Sequence, residues 1–325
     1  PDAIAIWDGD ESCEHHQFEM EYFQISSNHN KNFNERWHGR GVGQRKQETS
    51  KQINSQRGFC VRCHAFKGQL GHEYNPDDYV RHLVEVFREL KRVLRREGSF
   101  FLNLSDKYDE NGFLLEIPSK VCLALEAEGW GKREDIIWHK PNGIPESARN
   151  RFSRRWELLF HFVKSKRYFS NVDLARIEPK YFRPPSDKSK ILKHDRSVGR
   201  IGSYGYNDPL HSRPNNPKGK NPGHLWSINC AHEKGPHPAA YPLELCYLPI
   251  VAFCPPRGTV LDPFCGRGTT LMMAKLLGRS SIGIEINAAY AEIAERNLRE
   301  VDLEAKKLFD TLTPKLRSRR LPWKL

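Results

Sequence analysis

The stretch Val260 to Thr270, VLDPFCGRGTT, limits what this chain can fold into more than any other. An apolar strand there runs into a helix through a turn that contains Gly266 and Gly268. Glycine at such a corner permits positive φ and lets the backbone approach a ligand closely. Glu285 stands at the end of the next apolar run, SIGIEI (Ser281 to Ile286). An acid at that point of a nucleotide-binding α/β unit accepts hydrogen bonds from both hydroxyls of a ribose.

The same residues narrow the ligand. A dinucleotide corner expects a third glycine where Leu271 stands, and no Gly-Lys-Ser/Thr is present to serve a nucleoside triphosphate. Asp262, at the strand end, offers a carboxylate suited to an ammonium group, and Thr269 or Thr270, at the helix start, suits a carboxylate. An amino-acid headgroup joined to a ribose describes S-adenosylmethionine. The competing reading is a purely structural strand-turn-helix with a glycine-rich corner.

Upstream, residues 75 to 98 read as a helix. Asn75 is the cap, Pro76 the first helical residue, and Asp77 and Asp78 face the positive end of the dipole. Tyr79, Leu83, Val86, Phe87, Leu90, Val93 and Leu94 recur at helical spacing, and Gly98 is the expected left-handed stop. A strand (Ser99 to Leu104), a second helix (Pro118 to Gly129) and strands at Glu134 to His139 and Trp156 to Lys164 follow. Helices alternating with buried strands imply a mostly parallel sheet covered on both faces. Beyond the region 178–230, Pro242 to Ala252 is helical in pattern, Gly258 to Phe264 a strand, Thr269 to Leu277 a helix stopped by Gly278, and Ala288 to Glu300 a last helix.

From Glu178 to Gly223 the pattern gives way to Pro, Gly, Ser, Asn and basic residues, among them Lys180, Arg183, Lys188, Lys190, Lys193, Arg196, Arg200, Arg213, Lys218 and Lys220. Such a segment is either a disordered linker or an irregular surface that contacts DNA. The formal net charge of +12 makes a polyanion the expected partner, with binding that weakens as salt rises. No apolar run approaches the roughly 18 residues needed to span a bilayer, and no signal-peptide layout is present, so a cytoplasmic, nucleoid-associated location is expected.

The 8 cysteines are too dispersed for a disulfide scaffold. Cys60 and Cys63 form CxxC, and Cys13 with His15 forms CxH. Together they make a candidate tetrahedral zinc site with no open position, hence structural, with His16 or His64 as substitutes for His15. Two unrelated pairs of thiols are the plainer reading.

HPAAYPLEL (His237 to Leu245), VLDPFCGRGTT and GIEINAAYAEIAERNL (Gly283 to Leu298) occur in an order that resembles the permuted, beta-class amino-methylating DNA methyltransferases of bacteria and phages. GQLGHEYNPDDYVRHLVEVFRELKRVL (Gly68 to Leu94), FLNLSDKY (Phe101 to Tyr108), DIIWHKPNGIPES (Asp135 to Ser147) and WELLFHFVKSKRYF (Trp156 to Phe169) extend the resemblance. It implies a Rossmann-like S-adenosylmethionine methyltransferase fold with one antiparallel strand. By the same resemblance Asp262, Phe264, Gly266, Gly268 and Thr269 line the methionine and adenosine pocket, Glu285 holds the ribose, and His237 and Pro242 stand near the methionine end. The expected activity is methylation of an exocyclic amine of a base flipped from double-stranded DNA, cytosine N4 favoured over adenine N6.

One departure bears on catalysis. The family's Ser/Asp/Asn-Pro-Pro-aromatic tetrad has no match, because Arg183-Pro184-Pro185-Ser186 and Cys254-Pro255-Pro256-Arg257 lack both the polar first residue and the aromatic last one. The resemblance puts the tetrad just before Ile6 to His15, upstream of Pro1, and without it cofactor binding with little turnover is expected. A catalytically inactive DNA-binding module and an RNA or protein methyltransferase are the competing functions. The expected organisation is a zinc-stapled insertion (1–74), a target-amine half (75–177), a basic DNA-recognition segment (178–230) and a cofactor half with a basic tail (231–325).

Overall fold

The computed structural model describes residues 5–9, 13, 18–25, 53–143, 146, 148–177, 218–231 and 241–301. His15, His237 and most of the basic segment lie outside these residues. Two compact units emerge, one from Pro1–Arg92 with Lys107–Glu128, the other from Val93–Asp106 with Gly129–Leu325.

The first unit carries an antiparallel sheet of β1 (Ala5–Trp7), β2 (Phe18–Ile25), β3 (Ile53–Cys60) and β4 (Phe66–Gly68), in the order β1-β4-β3-β2. With it go α1 (Pro76–Val93) and α2 (Ile117–Ala127). Asn75 caps α1 as expected, its Oδ1 accepting the Asp77 amide at 2.9 Å. The helix ends at Val93, before Gly98. Gly98 does not adopt positive φ; its amide closes a turn onto the Arg95 carbonyl at 2.9 Å. A Cβ there would meet Leu94 Cδ1 at 2.6 Å, so the position needs glycine for space and not for handedness.

A polar cluster ties α1 to the sheet. His82 is fully buried, with Nδ1 2.9 Å from Glu73 Oε1 and Nε2 2.8 Å from Asp8 Oδ2. Its ring stacks against Trp7 at 4.9 Å and Phe66 at 5.8 Å. Arg81 also bonds Asp8. Burial by itself would raise the Asp8 carboxyl, but hydrogen bonds from Arg81 and His82 outweigh it and hold the group below its usual range.

In the second unit β5 (Ser99–Leu104), β6 (Gly131–His139), β7 (Trp156–Val163) and β8 (Leu225–Ser227) form a sheet in the order β5-β7-β6-β8. The expectation of a mostly parallel sheet fails here. Among the described residues no helix separates β6 from β7, and β7 lies antiparallel to both β5 and β6, the one antiparallel strand that the resemblance implies. Parallel pairing is confined to β6 with β8, and to the separate pair β9 (Thr259–Asp262) and β10 (Ser280–Gly283). The sheet of the second unit is therefore mixed.

The core of this unit forms around α3 (Leu243–Phe253). Residues 245–252 of α3 are all buried, which suits a helix apolar on every side. Ile136, Trp138, Leu159 and Trp226 from the sheet share this core with Met273, Ala274 and Leu277, of which the first two belong to α4 (Thr269–Leu276). The Trp138 indole satisfies its buried N–H on the Ile228 carbonyl at 2.8 Å. A last helix, α5, runs from 288 to 301. Among the described residues no helix is long and apolar enough to cross a membrane.

His161, on β7, is enclosed by Phe101 at 4.4 Å, Phe253 at 4.6 Å and Tyr168 at 5.5 Å, with Nε2 3.0 Å from Ser99 Oγ. Burial, helped by the charge of Arg133, depresses its pKa from 6.5 to about 4. Below pH 6.5 the unfolded chain takes up a proton that the folded chain refuses until about pH 4, so stability falls as pH drops through this window. Denaturant unfolding across it should show a loss of about 3 kcal/mol from this residue. His161→Phe should remove that part of the pH dependence.

Candidate cofactor site and cysteine cluster

The glycine corner is held by two carboxylates. Asp262 closes β9, where its Oδ1 accepts the Phe264 amide at 3.0 Å and its Oδ2 accepts the Thr270 hydroxyl at 2.6 Å. On the other side Glu285 accepts the Gly266 amide at 2.9 Å through Oε2 and the Asn287 amide at 2.9 Å through Oε1. Backbone bonds complete the turn, from Gly268 to Cys265 at 2.7 Å, Cys265 to Ile284 at 3.0 Å and Ile284 to Asp262 at 2.9 Å. Gly266 and Gly268 adopt φ of 50° and 81°.

Of the residues singled out in the sequence, the structure therefore gathers Asp262, Phe264, Gly266, Gly268, Thr269, Thr270 and Glu285 around one corner. Thr270 is already committed to Asp262, whereas Thr269 is the first residue of α4. Pro242 is the N-terminal cap residue of α3. Of the two paired prolines, Pro255-Pro256 builds the turn between α3 and β9, with Gly258 bonded back to the Pro255 carbonyl at 2.8 Å. Pro184-Pro185 lies outside the described residues.

Tyr241 is a residue of this corner that sequence reasoning missed. Its phenol lies 3.2 Å from Asp262 Oδ2 and 2.6 Å from Thr270 Oγ1. Burial first, then the neighbouring Cys246 and Asp262, hold it well above its ordinary range, so it stays protonated and donates into the Asp262–Thr270 pair. Its place just before Pro242 was the only signal. Ile284 and Ile286, which flank Glu285, are exposed, as is Phe264, and leave apolar surface beside the acid. Two buried thiols complete the surroundings. Burial pushes Cys246 up to about 12, and burial with the nearby Asp262 and Glu285 charges pushes Cys265 up to about 11.

The first unit holds the second constellation. The Sγ atoms of Cys13, Cys60 and Cys63 all lie within 4.8 Å of one another. Cys60 ends β3, and a tight turn carries Cys63, with the His64 amide on the Cys60 carbonyl at 2.9 Å and the Cys60 amide on the Ala65 carbonyl at 2.8 Å. Tetrahedral zinc with Zn–S near 2.3 Å keeps its sulfurs about 3.8 Å apart, so the three thiols fit it. His64, named as a substitute ligand, is exposed and not part of the converging group. His15 lies outside the described residues. Burial, then the adjoining Cys63 and Cys60 thiols, push the Cys13 thiol up.

The comparisons agree with this geometry. The sequence profile of the N6/N4 methyltransferase family, described as DNA methylase, matches residues 30–296. The Type II methyltransferase M.SmaI of Serratia marcescens is 32% identical over 259 residues, covering 71% of this chain and 77% of that protein. M.SfiI of Streptomyces fimbriatus is 28% identical over 345 residues, covering 71% and 82%. Among solved structures, the cytosine-N4-specific PvuII DNA methyltransferase superposes with a TM-score of 0.52 at 18% identity, over 72% of this chain and 76% of its own, a likeness of fold. The chain belongs to the DNA methylase family and is a DNA methyltransferase.

The two kinds of glycine constraint can be separated experimentally. Gly278 has φ of 68° with nothing within 4 Å of an added Cβ, whereas Gly268 has φ of 81° and would put a Cβ 3.1 Å from Ala294 Cβ. Gly278→Ala should cost about 1 kcal/mol from backbone handedness alone, and Gly268→Ala about 2 kcal/mol or more. Urea midpoints of the two variants check that order.

Proposed function

We propose that the chain binds S-adenosylmethionine at the corner between Asp262 and Glu285 and methylates an exocyclic amine of a base flipped out of double-stranded DNA, cytosine N4 in preference to adenine N6, with low turnover because the Pro-Pro-aromatic tetrad that grips the amine has no match among residues 1–325. The observation that carries this reading is the pair of carboxylates at one glycine turn. Each carboxylate oxygen accepts two hydrogen bonds, so Glu285 retains capacity for ribose hydroxyls after engaging Gly266 and Asn287, and Asp262 Oδ1 retains capacity for an ammonium group. The start of α4, with Thr269, suits the cofactor's carboxylate. Phe264, Ile284 and Ile286 offer apolar surface for the purine. In this reading His237 and Pro242 stand at the methionine end. When bound, the cofactor supplies an electrophilic methyl on a sulfonium, and the protein's part is to hold it, exclude water and aim the amine. The preference for cytosine N4 has the support of the PvuII fold relative, which is named as specific for that position.

Zinc at Cys13, Cys60 and Cys63, with His15 as fourth ligand, is the proposed staple of the first unit. Three converging thiols support it. Four protein ligands leave no open position, so the metal's role is structural.

Calorimetry should detect S-adenosylmethionine binding to the purified chain. Tyr241→Phe, which removes the phenol behind Asp262 without touching the ligand, should weaken it about tenfold, or ~1.4 kcal/mol. Incubation with methyl-tritiated cofactor and duplex DNA or RNA, followed by nucleoside chromatography, tests the target, and label in N6-methyladenine or in RNA instead of N4-methylcytosine refutes the stated preference. Metal analysis of protein purified without chelator should find about one zinc per chain, lost in Cys60→Ser together with a lower Tm. A metal-free parent ends the zinc reading.

A further inference from the structure

The connection between β6 and β7 is far longer than a hairpin needs. Such turns ordinarily take about two to five residues, and here residues 140–155 intervene. Its stem is fixed. The strands pair as far as His139 opposite Trp156, and the Lys140 amide then bonds the Arg155 carbonyl at 2.8 Å. Lys140 pairs with Glu157 and lies over the Trp138 ring at 4.4 Å. Asn142 clasps Cys230 twice, its Oδ1 accepting the Cys230 amide at 2.7 Å and its Nδ2 donating to the Cys230 carbonyl at 3.3 Å. The loop thus leaves the sheet at the carboxyl ends of the parallel strands β6 and β8, the end at which open α/β sheets bind ligands.

The tip has a different character. From Ser147 to Trp156 the sequence, SARNRFSRRW, contains Arg149, Arg151, Arg154 and Arg155 and no acid. Arg149, Arg151 and Arg155 are exposed. Arg151 pairs back to Glu146, and the Arg154 guanidinium lies over the Trp156 ring at 5.3 Å. Between them Phe152 is 98% exposed. A lone exposed apolar residue needs no explanation. A phenyl ring wholly in water, among arginines, on an overlong loop with an anchored stem, matches a polyanion that also presents stacked aromatic faces.

We propose that this tip is a DNA-contacting element distinct from the basic segment 178–230, in which Arg149 and Arg155 neutralise backbone phosphates and Phe152 wedges between base steps. The inference rests on the double-stranded DNA target proposed above. Extruding a base costs a few kcal/mol of stacking and pairing, and an apolar wedge at the opened step offsets part of that cost. The anchored stem reduces the ordering cost of binding, since only the tip has to adapt.

The test uses the full chain, a fluorescein-labelled DNA duplex of mixed sequence and anisotropy titrations across a salt series. The double variant Arg149→Ala, Arg155→Ala should lower the slope of log K against log salt by about two, near 0.9 per lost phosphate contact. Phe152→Ala should bind the duplex about tenfold more weakly at unchanged slope, with Tm and S-adenosylmethionine binding unaltered. Phe152→Trp should restore affinity, with its emission quenched on adding duplex. A lowered Tm in Phe152→Ala means that the ring packs on protein and overturns the proposal. So does a parent that binds the duplex while the loop variants match it in affinity and slope, or a parent that prefers an RNA duplex of the same sequence. A parent that binds the cofactor but no DNA refutes the double-stranded DNA target itself, and the wedge with it.

Discussion

A turn that offers backbone amides to a ligand cannot spend them all in helix or sheet, and so it needs other groups to hold its shape. In this methyltransferase two carboxylates do that work. Asp262 gathers the Phe264 amide, the Thr270 hydroxyl and the Tyr241 phenol, while Glu285 ties the Gly266 amide to the start of the segment that leads into α5. Asp262 ends β9, and Glu285 follows two residues after the end of β10, the strand that pairs parallel with β9. The positive φ values of Gly266 and Gly268 follow from the same requirement, because the chain has to reverse between the two acids without a side chain in the way.

The first unit solves a different problem. Its sheet has two strands of only three residues, β1 and β4, and a third, β3, whose sequence INSQRGFC is largely polar, so hydrophobic burial alone supports that side of the layer poorly. A polar cluster and a thiol cluster reinforce it from two directions. His82 on α1 bridges Glu73 and Asp8 between the rings of Trp7 and Phe66. Cys13, Cys60 and Cys63 gather the loop after β1 and the turn after β3. Asp8 lies on the same short stretch as Cys13, and an added Cβ at the adjoining Gly9 would lie 2.9 Å from Cys63 Sγ, so the two reinforcements meet around β1.

How much of this was legible in the sequence depended on whether the determinant was local. Capping chemistry and helical periodicity marked α1 and α4 within a few residues, because an Asn-Pro-Asp start and a glycine corner act through their immediate neighbours. An antiparallel strand was implied by the family resemblance and is β7, but periodicity, which reports burial and not direction, pointed only to a mostly parallel sheet. The sheet of the first unit was missed because INSQRGFC (Ile53–Cys60) lacks the alternation that announces a half-buried strand. Nearly every residue of the glycine corner was readable, as motif spacing encodes it. Tyr241 was not, because its role exists only once α3 brings it against Asp262.

The thiols around that corner have a consequence for self-protection. A sulfonium methyl is an alkylating agent, and the best nucleophile a protein can offer it is a thiolate. Cys265 sits in the glycine turn itself, and Cys246 approaches Thr270 at 3.9 Å. Burial and neighbouring carboxylate charge keep both as neutral thiols, with values of about 11 and about 12. The same carboxylate charges that shape the turn therefore lower the thiolate fraction of the sulfurs beside it, which makes them poorer nucleophiles towards an electrophilic methyl.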